Sequence, residues 1–432
     1  MRVLVTGAYG LIGAACLTRL HRDGHALVGA GRRLEEAQRR FPFADWRAAD
    51  FNRLTTPEVW REIIAGVDAV VNCVGVLQDG LRDDVRRVQL DATVALFEAC
   101  ARTGIRRVIH ISAVGATPAG PTEFARSKGA AEDRLAALDL DWVILRPALV
   151  LSPMAYGGTA MLRALAALPG IVAIVGADSR LQVVASDDVA RTVAFCLAPG
   201  APARVRWDLA HPQLLTLAEI VAALRQWLGL RSARIICIPP PLGRVIAGVA
   251  DALGWLGWRS PARSTALVML AAGVVGEPAP WIAATGRAPM SLAQILAAHP
   301  ASVQDRWFAR LYPLKPLAIA GLALFWLASG IIGLGPGRTA AMALLSDAGV
   351  PNPIAAVAEI GGSLADIALG IAVTMRASAR AALYGMLVVT GLYVVAASVL
   401  VPGLWLDPLG PLVKALPVVL ASLFTLAILD ER

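Results

Sequence analysis

Short apolar runs rich in β-branched residues alternate with amphipathic segments over the first third of the chain. Val3–Val5, His25–Gly29, Ala69–Asn72, Val108–Ser112 and Trp142–Leu145 have strand length. Between them, Ile12–Asp23, Val85–Thr103 and Lys128–Leu138 carry apolar residues at helical spacing. Strands without a polar face, alternating with helices, predict a parallel sheet covered on both sides. From about Pro147 to Leu311 strands are fewer, although Arg204–Leu209 reads as one. Thr216 followed by Glu219 is a capping box and predicts a helix start. In Leu242–Trp258 the residues Val245, Ile246, Val249, Leu253 and Leu256 recur at helical spacing, with Trp255 and Trp258 near the end and Arg244 and Arg259 flanking. Such a helix either lies in a membrane interface or packs on a protein core.

Beyond residue 317 the pattern changes. Leu317–Leu334, Ile354–Met375, Ala381–Val401 and Leu412–Leu429 are apolar runs of roughly the 17–25 residues that cross a bilayer. They predict an all-α four-helix transmembrane bundle. Composition agrees: 57% of the 432 residues are hydrophobic and 17% charged, too oily for an ordinary soluble enzyme. Charge is divided unevenly. From Pro313 onward the bases Lys315, Arg338, Arg376, Arg380, Lys414 and Arg432 balance the acids Asp347, Glu359, Asp366, Asp407, Asp430 and Glu431. The net charge of +8 therefore lies in residues 1–312, where it suits anionic lipid headgroups. No Lys/Arg run is interleaved with aromatics, so nucleic acid is not an expected partner. The five cysteines form no CxxC pair and read as buried residues of a reducing compartment, and no histidine spacing suggests a metal site. Met1 leads directly into a strand, so no signal peptide is expected. Basic flanks before the first apolar run (Arg306, Arg310, Lys315) and between the second and third (Arg376, Arg380) should face the cytoplasm. The chain then reads as a multi-pass protein of a bacterial-type inner (cytoplasmic) membrane, with its N-terminal domain and C-terminus in the cytoplasm.

Thr6-Gly7-Ala8-Tyr9-Gly10-Leu11-Ile12-Gly13 follows the first strand and opens a helix. Gly7 permits the tight turn, Gly10 lets backbone approach a pyrophosphate, and Gly13 lets the helix pack on the strand. The helix N-terminus favours phosphate. The loop thus predicts a dinucleotide-binding, Rossmann-type doubly wound sheet. At the end of the second strand, where an acid would hold a ribose 2′-hydroxyl, stand Arg32 and Arg33. Arginines pair with a 2′-phosphate, so NADP(H) is favoured over NAD(H). Asp50, after the third strand, can accept from the adenine amino group. Asn72-Cys73-Val74-Gly75 closes the fourth strand where backbone meets the cofactor.

TGAYGLIG (6–13), DF (50–51), NCVG (72–75), His110-Ile111-Ser112 and Leu145-Arg146-Pro147 resemble the atypical short-chain dehydrogenases/reductases of the NAD-dependent epimerase/dehydratase superfamily. The branch that includes the NAD(P)H-binding accessory subunit of respiratory complex I is the most similar. The resemblance covers about residues 1–240 and implies a substrate lobe beside the sheet. It implies cofactor contacts from Thr6, Gly7, Tyr9, Gly10, Leu11, Ile12, Gly13, Arg32, Arg33, Asp50, Phe51, Cys73, Val74, Gly75, Ser112, Lys128 and Pro147. Residues 313–432 resemble the DoxX-like membrane family through Phe325-Trp326, Glu359 with Asp366, Trp405-Leu406-Asp407-Pro408-Leu409-Gly410-Pro411 and Asp430-Glu431-Arg432. Residues 241–312 would be an amphipathic region connecting the two domains, either associated with the membrane or packed on the protein.

In the first family a Tyr-x-x-x-Lys pair performs acid–base work, and a Ser or Thr orients the carbonyl. This chain has Ser112 and Lys128, but Phe124 stands where the tyrosine belongs. A phenyl ring has no proton to give, and such assistance is typically worth about 10²–10⁴-fold. Three readings remain open. The protein binds NAD(P) without hydride chemistry, as a scaffold of a membrane protein complex. Tyr156 replaces the missing donor. Or the substrate, a quinone or lipid-like molecule from the bilayer, needs no enzyme proton. Lys128 serves as a ribose clamp in all three. Glu359 and Asp366, two turns apart on one helical face, should point into the bundle. They form either a proton or quinone site or a hydrogen-bonding knot, with Arg376 or Trp405 nearby. Gly361 and Gly362 between them would permit close helix approach.

Overall fold

A computed structural model describes residues 1–81, 83–258 and 260–430. Arg259, Glu431 and Arg432, used in the sequence reading, lie outside the described residues. The chain forms two compact units: Met1–Asp251 with Ser260–Arg306, and Ala252–Arg259 with Trp307–Arg432.

In the first unit, β1 (Arg2–Thr6), β2 (Ala26–Gly31), β3 (Asp45–Ala48), β4 (Ala69–Asn72), β5 (Arg107–Ile111), β6 (Asp141–Pro147) and β7 (Val205–Leu209) make one parallel sheet. Its order is β7-β6-β5-β4-β1-β2-β3. β2 and β3 step one way from β1, and β4 to β7 step the other way, so a switch point falls between β1 and β4. Period-2 alternation feeds two cores. Val3, Val5, Ile109 and Val143 pack on one face with Leu17 and Leu20. Leu4, Val28, Val70 and Val108 pack on the other with Trp60, Leu96 and Phe97. The register pairs Thr6 with Asn72, Asn72 with His110, and Ile111 with Leu145. Gly7, Cys73 and Ser112 therefore leave the sheet along a single edge.

The helices that matter for the site are α1 (Leu11–Arg22), α2 (Ala92–Thr103), α3 (Glu123–Ala136), α4 (Ser186–Leu197), α5 (Pro240–Trp255) and α6 (Ser264–Ala272). The capping box at Thr216 and Glu219 is present. Arg204–Leu209, read as a strand, joins the sheet as its outer edge β7 beside β6. Other strands of the lobe form small two-stranded pairs, such as Ile171–Val175 with Arg234–Ile238. Glu132 of α3 ties the lobe edge together. Its carboxylate is fully buried, accepts from Arg146 of β6 at 2.5 Å and is ion-paired with Arg206 of β7 at 3.1 Å.

In the second unit, α7 (Val303–Leu334), α8 (Asn352–Thr374) and α9 (Ala379–Leu400) are long and apolar enough to cross a membrane. The fourth apolar run yields only α10 (Ala415–Ala427), 13 residues. At 1.5 Å per residue that is about 20 Å, short of the ~30 Å hydrocarbon core. Three helices of spanning length and one shorter apolar helix thus occur among the described residues. The expected close approach at Gly361 is also corrected. A side chain there would meet nothing within 4 Å, and Gly362 faces the Tyr393 hydroxyl. α7 and α8 instead cross at Gly330 and Gly370. A Cβ on Gly330 would lie 2.3 Å from the Ser363 carbonyl oxygen, and one on Gly370 would lie 2.8 Å from Leu327 Cγ.

Candidate functional site

The glycine loop has the geometry its sequence requires. Gly7 takes φ +61°, and a Cβ there would press on the Cys73 carbonyl at 3.0 Å. A Cβ on Gly13 would stand 2.2 Å from the Gly7 oxygen, so only glycine lets α1 start against the turn. The first turn of α1 holds no acidic residue and no side-chain cap. Its N–H groups are left for an anion. Tyr9 crosses the end of β2. Its hydroxyl accepts from the Arg32 N–H at 3.0 Å, and its ring fills the space a Cβ on Gly31 would need, 2.3 Å from Cε1.

Arg32 and Arg33 are each ion-paired, to Asp83 at 2.8 Å and to Glu36 at 3.2 Å. A cavity of about 460 Å³ beside them is lined by Arg32, Arg53 and Arg87 and by Asp50, Asp83 and Asp84. Asp50 accepts from the Asn52 N–H there at 3.2 Å. Asp50 was expected here, whereas Asp83 and Asp84 carry no sequence signal because they reach the pocket only through the loop after β4. Phe51 is buried in the core against Trp60.

At the opposite end of the edge stands the catalytic candidate cluster. Ser112 follows β5, and its N–H donates to the Leu145 carbonyl at 2.7 Å. Its Oγ is buried with no hydrogen-bond partner among the described residues. Lys128 on α3 is buried, only 4% exposed, and Nζ donates to the Ile111 carbonyl at 3.0 Å. Burial lowers its pKa to about 8, against the opposing charge of Glu132 and the Cys73 thiol. The Phe124 ring lies one turn earlier, its centroid 5.8 Å from Nζ. Thr122 caps α3 by accepting from the Ala125 N–H.

Gln89, absent from the sequence reading, belongs to this cluster. It sits on a π-turn, Arg87–Asp91, that precedes α2. Its Nε2 donates to Ser127 Oγ at 3.2 Å, while Oε1 is buried without a partner. A Cβ built on Gly75 would lie 3.5 Å from Lys128 Nζ and 3.6 Å from Gln89 Oε1, so both groups converge on one point. A glutamine in a helical pattern gives no sequence signal. The inserted π-turn, frequent at functional sites, is what aims it. Beneath the edge, Asn72 Oδ1 accepts from Thr6 Oγ1 at 2.6 Å and Asn72 Nδ2 meets His110 Nδ1 at 3.2 Å. Burial pushes His110 well below the usual imidazole range, so it is neutral.

The remaining predicted residues are placed as follows. The Pro147 carbonyl accepts from the Val114 N–H at 3.1 Å, at the mouth of the same edge. Tyr156 is the N-cap of the helix Gly157–Ala166, its carbonyl receiving Thr159 Oγ1 at 2.8 Å. Cys237 is exposed, contrary to the reading of every cysteine as buried. No group of metal-ligating side chains occurs among the described residues. The buried Oγ of Ser112, Oε1 of Gln89, and the glycine turn that no Cβ could enter fit a dinucleotide along this edge.

In the membrane unit Asp366 is buried and accepts from Ser329 Oγ at 2.6 Å and Tyr393 Oη at 2.9 Å. Glu359, also buried, has Arg338 Nε at 3.4 Å. The expected neighbours bind elsewhere: Arg376 donates to the Leu429 carbonyl, and Trp405 to Ser398.

Comparison with known proteins agrees with this division. Residues 7–198 match the NAD(P)H-binding family and residues 323–423 the DoxX-like family. An uncharacterized protein of Mycobacterium tuberculosis is 32% identical over 225 residues, 52% of this chain and 23% of that one. Ceramide reductase of Caulobacter vibrioides is 28% identical over 204 residues, 46% of this chain and 61% of that one. The NADH-ubiquinone oxidoreductase 40 kDa subunit of Neurospora crassa is 25% identical over 256 residues, 58% of this chain and 66% of that one. The chain thus spans less than two thirds of the mycobacterial relative and of ceramide reductase. The enzyme WbmG of Bordetella bronchiseptica, solved with NAD, shares the fold at TM-score 0.54 and 15% identity, over 72% of this chain and 95% of that one. The chain therefore joins an NAD(P)-binding Rossmann domain to a C-terminal DoxX-like domain that carries apolar helices able to span a membrane.

Proposed function

We propose that this protein is a membrane-anchored oxidoreductase that uses NADP(H) and acts on a membrane-soluble quinone or lipid-like substrate without a tyrosine acid. The observation that carries the reading is the cluster at one sheet edge: buried Lys128, the unpartnered Ser112 hydroxyl, and Phe124 in the acid's place. It stands on a chain with three helices of spanning length. NADPH, when bound, supplies a hydride. The glycine loop holds its pyrophosphate, and Lys128 and Gln89 hold the nicotinamide ribose. Ser112 donates to the substrate oxygen. A quinone takes the hydride on one oxygen or ring carbon and a proton from water, so the balance needs no tyrosine. Arg33, and Arg32 after leaving Asp83, would pair with the 2′-phosphate. The domain and the C-terminus face the cytoplasm of an inner membrane. A relative named ceramide reductase supports a lipid-like substrate.

The competing reading is a non-catalytic NADP(H)-binding scaffold or assembly factor of a membrane complex. Phe124 and the similarity to a 40 kDa complex subunit favour it. Purified full-length protein in lipid nanodiscs decides between them. Oxidation of NADPH by short-chain quinones supports the enzyme. Tight NADPH binding without turnover on quinones or ceramide-like ketones supports the scaffold. Calorimetry showing tighter NADH than NADPH binding would remove the assignment of Arg32 and Arg33.

A further inference from the structure

We infer that α5 is an interfacial helix whose apolar face lies in the headgroup–acyl boundary of the bilayer. The helix has two apolar rows, and only one is used by the protein. Gly243, Ala247, Ala250 and Gly254 form the buried row. A Cβ on Gly243 would stand 2.7 Å from Val175 Cγ1, so this row packs tightly. The second row is open: Leu242 is 52% exposed, Val245 63% and Val249 57%, with Ile246 and Leu253 beside them. At 3.6 residues per turn these five share one stripe, about 120° from the buried row. A stripe of large aliphatic side chains on an otherwise charged domain marks an interaction surface.

The uncharged stripe and its continuity with Trp258 identify the occupant as lipid. The helix has one carboxylate, Asp251, which is held on the polar flank by Arg263 at 2.9 Å and Gln78 at 3.2 Å. Arg244 is exposed on that same flank, seven residues before Asp251, so the stripe itself carries no charged side chain. Three residues past the end of α5 comes Trp258. Its indole donates to the Thr374 carbonyl at 2.6 Å, at the C-terminal end of spanning helix α8. Lys315 and Arg376 lie over its ring at 5.9 and 5.7 Å. Tryptophan with basic residues at a spanning-helix end belongs to the water–lipid boundary. The apolar stripe thus ends a few residues before a tryptophan of that boundary, and an amphipathic helix is stabilised in such a boundary by burial of its apolar face.

The segment also touches the site. Arg263 donates to the Asp79 carbonyl at 2.8 Å, in the loop that carries Gly80 and Asp83 of the nucleotide cavity. Thr122, the cap of α3, donates to Met269 Sδ of α6 at 3.2 Å. A membrane-soluble substrate would therefore approach along this side, a corollary that rests on the proposed function.

The test is depth measurement on the full-length chain in phosphatidylcholine/phosphatidylglycerol bilayers. Nitroxide labels are placed singly on Val245→Cys, Val249→Cys and, as a water-facing control, Glu35→Cys, all in a Cys237→Ser background. Labels at 245 and 249 should collide several-fold more often with oxygen than with a water-soluble nickel chelate, with the opposite ratio at 35. Ratios at 245 and 249 equal to that at 35 would overturn the inference. Shielding of both labels from both reagents would overturn it too, since protein would then cover the face. The readout does not involve turnover, so an inactive protein with deeply seated labels defeats the proposed oxidoreductase and leaves this inference standing.

Discussion

The ammonium of Lys128 and the ring of Phe124 face each other across 5.8 Å on one side of α3. The lysine keeps the burial and the backbone anchor of a working cofactor clamp, while its customary partner lacks an oxygen. This pair separates cofactor binding from proton transfer within a single helix turn.

Substituting Phe124→Tyr should therefore add an acid beside a cation that lowers its pKa. Reduction of a ketone substrate by NADPH should rise by about 10²-fold, at the low end of general acid effects. Quinone reduction should change by less than threefold, since its proton comes from water. Steady-state NADPH oxidation on both acceptors checks this, and an equal gain on both would contradict the solvent-proton reading.

Cofactor affinity should depend on the charge of Lys128. Its pKa of about 8 in the free protein is set by burial. The charged form predominates below that value and donates more strongly to ribose hydroxyls. NADPH affinity should be flat up to about pH 7 and fall as pH rises through about 8. Lys128→Ala should weaken binding by about tenfold, the scale of one charge-assisted hydrogen bond, and abolish the pH dependence. Isothermal calorimetry from pH 6 to 9.5 tests both, and an unchanged profile in the alanine variant would refute the clamp.

Glu132 is the fully buried member of a three-residue ionic cluster with Arg146 and Arg206. Glu132→Gln removes the charge and leaves the Arg146 guanidinium half-buried and uncompensated. The nucleotide domain should lose about 3 kcal/mol, the usual cost of breaking such a pair. Because Glu132 also raises the Lys128 pKa, the pH at which NADPH affinity falls should move below about 8. Thermal unfolding followed with bound NADPH, together with the calorimetric profile, reads each effect.

The α7–α8 crossing predicts a contrast between two glycines. Gly330→Val puts carbon where the Ser363 carbonyl stands and should destabilise the membrane domain by about 2 kcal/mol, as overpacking commonly does. Gly361→Ala meets open space and should be tolerated. Thermal stability of both variants in the same detergent decides the point, and NADPH binding should be unchanged in each.

Much of this protein was legible in the chain itself. Strands β1, β2, β4, β5 and β6 were visible because apolar runs need burial wherever they lie. The glycine turn was visible because positive φ at Gly7 and the Gly13–Gly7 contact admit no Cβ. Helices α7, α8 and α9, long and apolar enough to cross a membrane, were visible because hydrocarbon length is a local requirement. Tertiary structure alone decided the rest. It buried Lys128 and aimed Gln89 beside it through a π-turn. It paired Arg32 with Asp83, 51 positions away in sequence. It brought Ser329 and Tyr393 to Asp366 and moved the close helix crossing to Gly330. Each of these depends on which distant residues become neighbours, and periodicity within one segment carries no information about its partners.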